Sequence, residues 1–156
     1  MLMDNFTALF FLPQDQINLV HSHETSEMNR YRWLALRYLP FDTPMSRLMT
    51  IIGQECVHRL LNLQEVASRM ELGACIDVRS LPVTSYFDNN YQHFFVVDAR
   101  MARQVLIGAV EAAKSTCTFI SWLLETNATP ELHQPLFIFS IQKNNEHRIL
   151  QDYLDQ

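Results

Sequence analysis

Apolar residues recur at three- and four-residue steps along most of this 156-residue chain, and that period is typical of helices rather than strands. The pattern predicts an all-α chain with four helices, at about 16–38, 44–71, 91–126 and 135–154. The third helix would be unusually long, so we expect a break near Asp98 or within 115–118. The turn at 39–44 is so short that the first two helices should lie antiparallel.

Polar residues, prolines and a glycine mark the helix ends. Asp15 can cap the first helix, and Thr43 can cap the second, with Pro44 at its first helical position. Gly73 is expected to end the second helix, and Pro135 to begin the fourth. These signals set the boundaries that the apolar period leaves open.

Two stretches lack a helical pattern. Residues 72–91 form a connection of about twenty residues, and a connection of this length is uncommon inside a compact domain unless it runs from one end of the domain to the other. We interpret it as a long crossover between two antiparallel helical hairpins. Residues 1–13 form an apolar arm closed by Pro13, which we interpret as lying over the open end of the bundle; a partner-binding tail is the alternative. The chain, 1–156, is then a single domain.

Composition narrows the functional class. Only 3 glycines and 48% hydrophobic residues suit long helices around a core. The net charge of -5 gives no footprint for nucleic acid or for an anionic membrane. Cys56, Cys75 and Cys117 are odd in number and widely spaced, which indicates reduced thiols rather than a disulfide framework or zinc knuckle. No segment has the pattern of a signal peptide or membrane span, so we expect a cytoplasmic protein.

Acidic and histidine residues interrupt the apolar stripes. Glu24 shares a face with Ile17, Val20 and Tyr31, so it should be buried. Glu55 and His58 stand three residues apart among apolar residues of the second helix. A carboxylate and an imidazole are costly to bury without partners or a metal. The i, i+3 spacing lets one helix offer an oxygen and a nitrogen to the same ion.

These residues resemble a known superfamily. The spacing from Glu24 to Tyr31, the Asn29-Arg30-Tyr31 run and the Gln54-Glu55-x-x-His58 element are similar to the first half of ferritin-like proteins, and most similar to rubrerythrins. The resemblance covers about a third of the chain. It implies a ferritin-like four-helix bundle that binds iron or manganese and handles O₂ or peroxide.

The second half of the chain departs from the pattern. Glu111 and His147 match the expected positions, but Asn144 stands where a second Glu is expected, and Lys114 lies one turn after Glu111. Fewer carboxylates weaken the second ion position. The resemblance implies these metal ligands: Glu24, Glu55, His58, Glu111, His147 and Asn144. Without a rubredoxin-type cysteine module, electrons would come from a separate donor protein, and we expect a homo-oligomer, most simply a dimer.

Two other functions remain open. A ligand-depleted bundle could serve as a non-catalytic binding or oligomerisation module. An oxygenase acting on a small substrate would need a roomy pocket beside the ligand cluster. Metal content separates the first alternative from the metal-binding hypothesis, since a ligand-depleted bundle takes up no stoichiometric iron or manganese.

Overall fold

The computed structural model describes residues 12–72 and 94–156. These stretches contain four helices and no strand, so the all-α prediction is confirmed for them. The helices are α1 (Pro13–Tyr38), α2 (Thr43–Arg69), α3 (Ala99–Thr126) and α4 (Pro130–Asp155). Within the described stretches, no helix combines the length and the apolar run that crossing a bilayer requires.

The four helices form a bundle of two antiparallel hairpins. α1 packs along α2, and α3 packs along α4, while α2 also contacts α4. The hydroxyl of Tyr38 donates to the carbonyl of Ala102 at 2.6 Å, and Thr116 meets Glu27, so α1 and α3 are antiparallel neighbours. The predicted antiparallel pairing of the first two helices is confirmed.

α2 ends and α3 begins at opposite ends of the bundle. The last turns of α2 share a core cluster with Ile17, near the start of α1. The amide of Val96, just before α3, donates to the carbonyl of Arg37 at 2.9 Å, near the end of α1. The predicted crossover at 72–91 lies outside the described residues apart from Leu72, and so does the predicted arm at 1–13 apart from Leu12 and Pro13.

Aspartates lie at three of the helix starts. Asp42, rather than Thr43, caps α2, because its side chain accepts the Met45 amide at 3.1 Å. Asp98 caps α3 in the same way, so α3 begins at Ala99 and not at the predicted residue 91; the described residues before it, 94–98, are not helical, and α3 runs through 115–118 without a break. Asp15 is not the cap of α1; it lies three residues after Leu12 and accepts the amide of that residue at 3.3 Å.

The predicted start of α4 is wrong by five residues. The helix begins at Pro130, where a proline costs no hydrogen bond, and Pro135 lies inside it. The extra turn, residues 130–134, is helical because this places Leu132 in the core, where its side chain is buried.

The apolar core is divided into two clusters. One cluster surrounds Tyr38, Met49 and Leu150, and the other surrounds Ile17, Leu63 and Phe139. Between them, all four helices contribute buried polar side chains at one level of the bundle. We call this level the polar layer; it comprises Glu24, Glu27, Arg59, Thr116, Lys143 and Glu146.

Candidate functional site

The centre of the polar layer is an ionic quartet of Glu24, Arg59, Lys143 and Glu146. These four side chains come from α1, α2 and α4, and each residue is at most 7% exposed. They lie inward because they continue the buried stripes of their helices, as Arg59 does between Cys56 and Leu63. Two acids and two bases leave the quartet without net charge.

Each base of the quartet contacts both acids. Arg59 donates from Nε to Glu24 Oε1 at 2.7 Å, and its Nη2 lies 2.6 Å from Glu146 Oε1. Lys143 Nζ lies 2.9 Å from Glu24 Oε2 and 3.7 Å from Glu146 Oε2. Such charge-assisted contacts are required because an unpaired charge at this depth would be very costly.

Two neutral groups complete the surroundings of the bases. Arg59 Nη1 donates to Gln142 Oε1 at 3.2 Å, and Nη2 lies 3.4 Å from Cys56 Sγ. Lys143 Nζ lies 3.9 Å from the same sulfur. Cys56 and Cys117 are free thiols, as expected for reduced cysteines, and Cys75 lies outside the described residues.

The pKa shifts in the quartet follow from burial and pairing. Burial alone would raise the pKa of Glu24, but Lys143 and Arg59 outweigh it and hold that pKa below its usual value. Burial alone would lower the pKa of Lys143, but Glu24, Cys56 and Glu146 together outweigh it and raise that pKa. For Glu146, burial dominates and its pKa is raised. Burial also raises the pKa of the Cys56 thiol to about 12, so this thiol stays protonated at neutral pH.

A second polar group adjoins the quartet on the α1–α3 side. The hydroxyl of Thr116 donates to Glu27 Oε1 at 2.6 Å, and Arg30 Nη2 pairs with Glu27 Oε2. His23 Nε2 lies 3.1 Å from the Thr116 oxygen, and the His23 ring stacks on Phe119 at 4.3 Å between centroids. Burial lowers the pKa of His23 despite the opposing effect of Glu27. This group is therefore also internally paired.

Glu24 is fully buried, as the sequence predicts, but it does not meet the other predicted ligands in the interior. Glu55 and His58 lie 3.6 Å apart on the surface, with side chains 48% and 69% exposed, and Glu111 is exposed on α3. The expectation that these three side chains are buried is wrong.

Four apolar residues near Glu55 and His58 recur at helical spacing: Leu48, Ile51, Ile52 and Leu61. Ile52 is buried and Leu48 is half-buried, but Ile51 and Leu61 are exposed. The core face of α2 runs instead through Met49, Ile52 and Cys56, which leaves Glu55 and His58 outside it.

The register expected for α4 is wrong by one residue. Its inward positions are Lys143 and Glu146 instead of Asn144 and His147. Asn144 is exposed and its side-chain nitrogen donates to the carbonyl of Ser140 at 2.7 Å, while His147 is half-buried. One residue of helix turns a side chain by about 100°, which is enough to move it from the core to the rim.

The interior does not fit the expected iron or manganese. Among residues 12–72 and 94–156, no group of three or more His, Cys, Asp or Glu side chains is arranged to hold a metal ion. The oxygens of Glu24 and Glu146 instead face the fixed cations of Arg59 and Lys143. A divalent ion at this point would be repelled by both bases.

The residues missed by sequence reasoning are the two bases and Glu146. A signal for Arg59 was available, because it lies in step with the buried Met49, Ile52 and Cys56. A basic residue within an apolar stripe indicates a buried acidic partner, just as a Glu in such a stripe can indicate a metal ion.

A groove of about 610 Å³ lies between α1 and α2, and none of its lining residues belongs to the polar layer. Leu36, Leu39 and Val57 give it apolar walls, and Arg32 and Gln54 supply polar ones.

Comparisons of the sequence with protein-family models and with curated proteins, and of the chain with solved structures, give no match.

Proposed function

We propose that this chain is a non-catalytic helical bundle of ferritin-like arrangement that works as a binding or oligomerisation module. Two antiparallel hairpins, with α2 ending and α3 beginning at opposite ends, support the ferritin-like arrangement. The iron- or manganese-dependent oxidoreductase is the function this proposal replaces.

The observation that carries the proposal is the ionic quartet. A dimetal-carboxylate enzyme needs interior acids that are open to metal ions. Here Arg59 and Lys143 are the counter-ions of Glu24 and Glu146, so these acids are engaged within the protein. Buried pairs of this kind act on the register of the helices, because Arg59 of α2 must meet acids of α1 and α4, and Lys143 of α4 must meet Glu24 of α1.

Metal reconstitution tests the proposal. The purified chain is incubated anaerobically with Fe²⁺ or Mn²⁺, desalted and analysed for bound metal. We expect less than about a tenth of an ion per chain, since bases already neutralise the interior acids. The N144E variant should take up no more metal than the wild type, because Asn144 is exposed.

Stoichiometric uptake that is lost in E24Q would overturn the proposal, because it would locate the ion in the interior. Uptake lost only in H58Q would locate it on the surface, where Glu55 and His58 lie, and would leave the interior without metal as proposed.

A further inference from the structure

The outer face of α2 carries a stripe with the spacing of a coiled coil. Six exposed residues follow one another at steps of four and three: Arg47, Ile51, Gln54, His58, Leu61 and Glu65. We call them the α2 stripe. Such alternating steps are the a and d positions of a heptad, which keep one line of side chains facing a second helix. Ile51 and Leu61 occupy two of these positions, which a partner helix covers in a coiled coil, yet here they are 55% and 59% exposed.

The α2 stripe is complementary to itself when it is read backwards. Around a two-fold axis at the level of position 56, Ile51 faces Leu61 of a second copy. The same operation brings Gln54 opposite His58 and Arg47 opposite Glu65. An isologous contact requires this property, because every pair in it occurs twice. Two apolar pairs then flank a polar centre, and a charge pair closes each end.

The charges also select the direction of pairing. An antiparallel contact joins each Arg47 to a Glu65, whereas a parallel one would place Arg47 on Arg47 and Glu65 on Glu65. Like charges placed together oppose the wrong alignment. Glu65 lies 2.9 Å from Arg69 within its own helix, but that pair is exposed and a carboxylate can accept from both bases.

We propose that the α2 stripe is the surface through which two copies of this chain associate, antiparallel and around a two-fold axis. This inference rests on the proposed function, because it names the partner that the binding or oligomerisation module binds. That partner is a second copy of the chain, since the apolar residues of one α2 stripe face the apolar residues of the other, and Arg47 of each copy faces Glu65 of the other. Glu55 and His58, expected as metal ligands, then belong to the rim and the centre of a protein contact.

A charge exchange tests this contact. R47E alone places a second carboxylate against Glu65, and E65R alone places two guanidinium groups together, so each should weaken association about tenfold or more. An equimolar mixture of R47E and E65R chains restores one opposite-charge pair in the heterodimer and converts the other into its reversed form, so that neither end carries like charges. Sedimentation velocity over about 1–500 µM, with one variant fluorescently labelled, measures each association. R100E, on the exposed start of α3, is the matched control.

We expect dimers from the wild type and R100E, and stronger association in the mixture than in either variant alone. A monomeric wild type over the whole range, undiminished association of R47E and E65R, or a mixture that stays monomeric would each overturn this surface. These results are independent of metal uptake. An interior that excludes metal in a monomeric chain would refute the α2 stripe and leave the proposed module, whereas interior metal would refute the module.

Discussion

Replacing Arg59 by methionine should cost a large part of the stability of the bundle. The side chain is buried and contacts Glu24 at 2.7 Å and Glu146 at 2.6 Å. Methionine keeps much of the volume but removes the charge. Glu24 would keep Lys143 at 2.9 Å, whereas Glu146 would keep it only at 3.7 Å, and the quartet would carry one net negative charge.

The size of the effect follows from these contacts. At an effective dielectric constant of about 20, each contact of Arg59 with an acid is worth roughly 6 kcal/mol before desolvation. Removing the guanidinium also removes its own desolvation cost, so the net loss should be about 3–5 kcal/mol. That is a large share of the roughly 5–15 kcal/mol by which domains of this size are stable.

Urea unfolding, followed by circular dichroism at the helix signal, gives the free energy and its slope. R69M is the control, since its pair with Glu65 has the same chemistry but is 69% and 66% exposed; it should cost less than about 0.5 kcal/mol. E24M/R59M should cost less than the sum of its single changes by about 1 kcal/mol or more, because Lys143 and Glu146 remain a neutral pair. If R59M costs no more than R69M, the quartet does not hold the bundle together.

Three further changes test other features. Because burial lowers the pKa of His23 below 6.5, its stabilising contribution is present above that pH and is lost as the pH falls through the lowered pKa. The H23Q variant should therefore lose less unfolding free energy than the wild type between about pH 7 and about pH 5. An equal loss in the two proteins would contradict the burial of His23. Glu71 has a φ of 61° just after α2, so E71G should raise stability by about 0.5–1 kcal/mol in urea unfolding, and a lower stability would refute strain at this position. A Cβ on Gly108 would meet nothing within 4 Å, so G108A should raise the melting temperature through about 1 kcal/mol of helix propensity, and an unchanged melting temperature would argue against an open position.

Local signals made much of the fold predictable. The apolar period identified the four helices, and a short turn identified the antiparallel pairing of the first two. Asp98 was a recognisable end signal, because a capping aspartate acts on an amide only three residues away, but it starts α3 rather than interrupting a helix that begins near residue 91. The start of α4 was not predictable, because a proline at the sixth helical position costs one hydrogen bond and the burial of Leu132 outweighs it.

The candidate site was harder to predict because α2 carries two apolar stripes. One runs through Met49, Ile52 and Cys56, and the other contains Ile51 and Leu61. A bundle of four helices buries only one of them on its axis. The period by itself does not say which, and the choice decides whether Arg59 or the pair of Glu55 and His58 enters the core.

The sequence alone therefore determined where helices form, because propensity, period and capping act over a few residues. Tertiary structure decided which faces were buried and what the interior could hold. The stability of Arg59 and Lys143 in the core depends on Glu24, which lies 35 and 119 residues away along the chain. Burying a charge is favourable only when such a distant partner reaches it, and no local pattern carries that information.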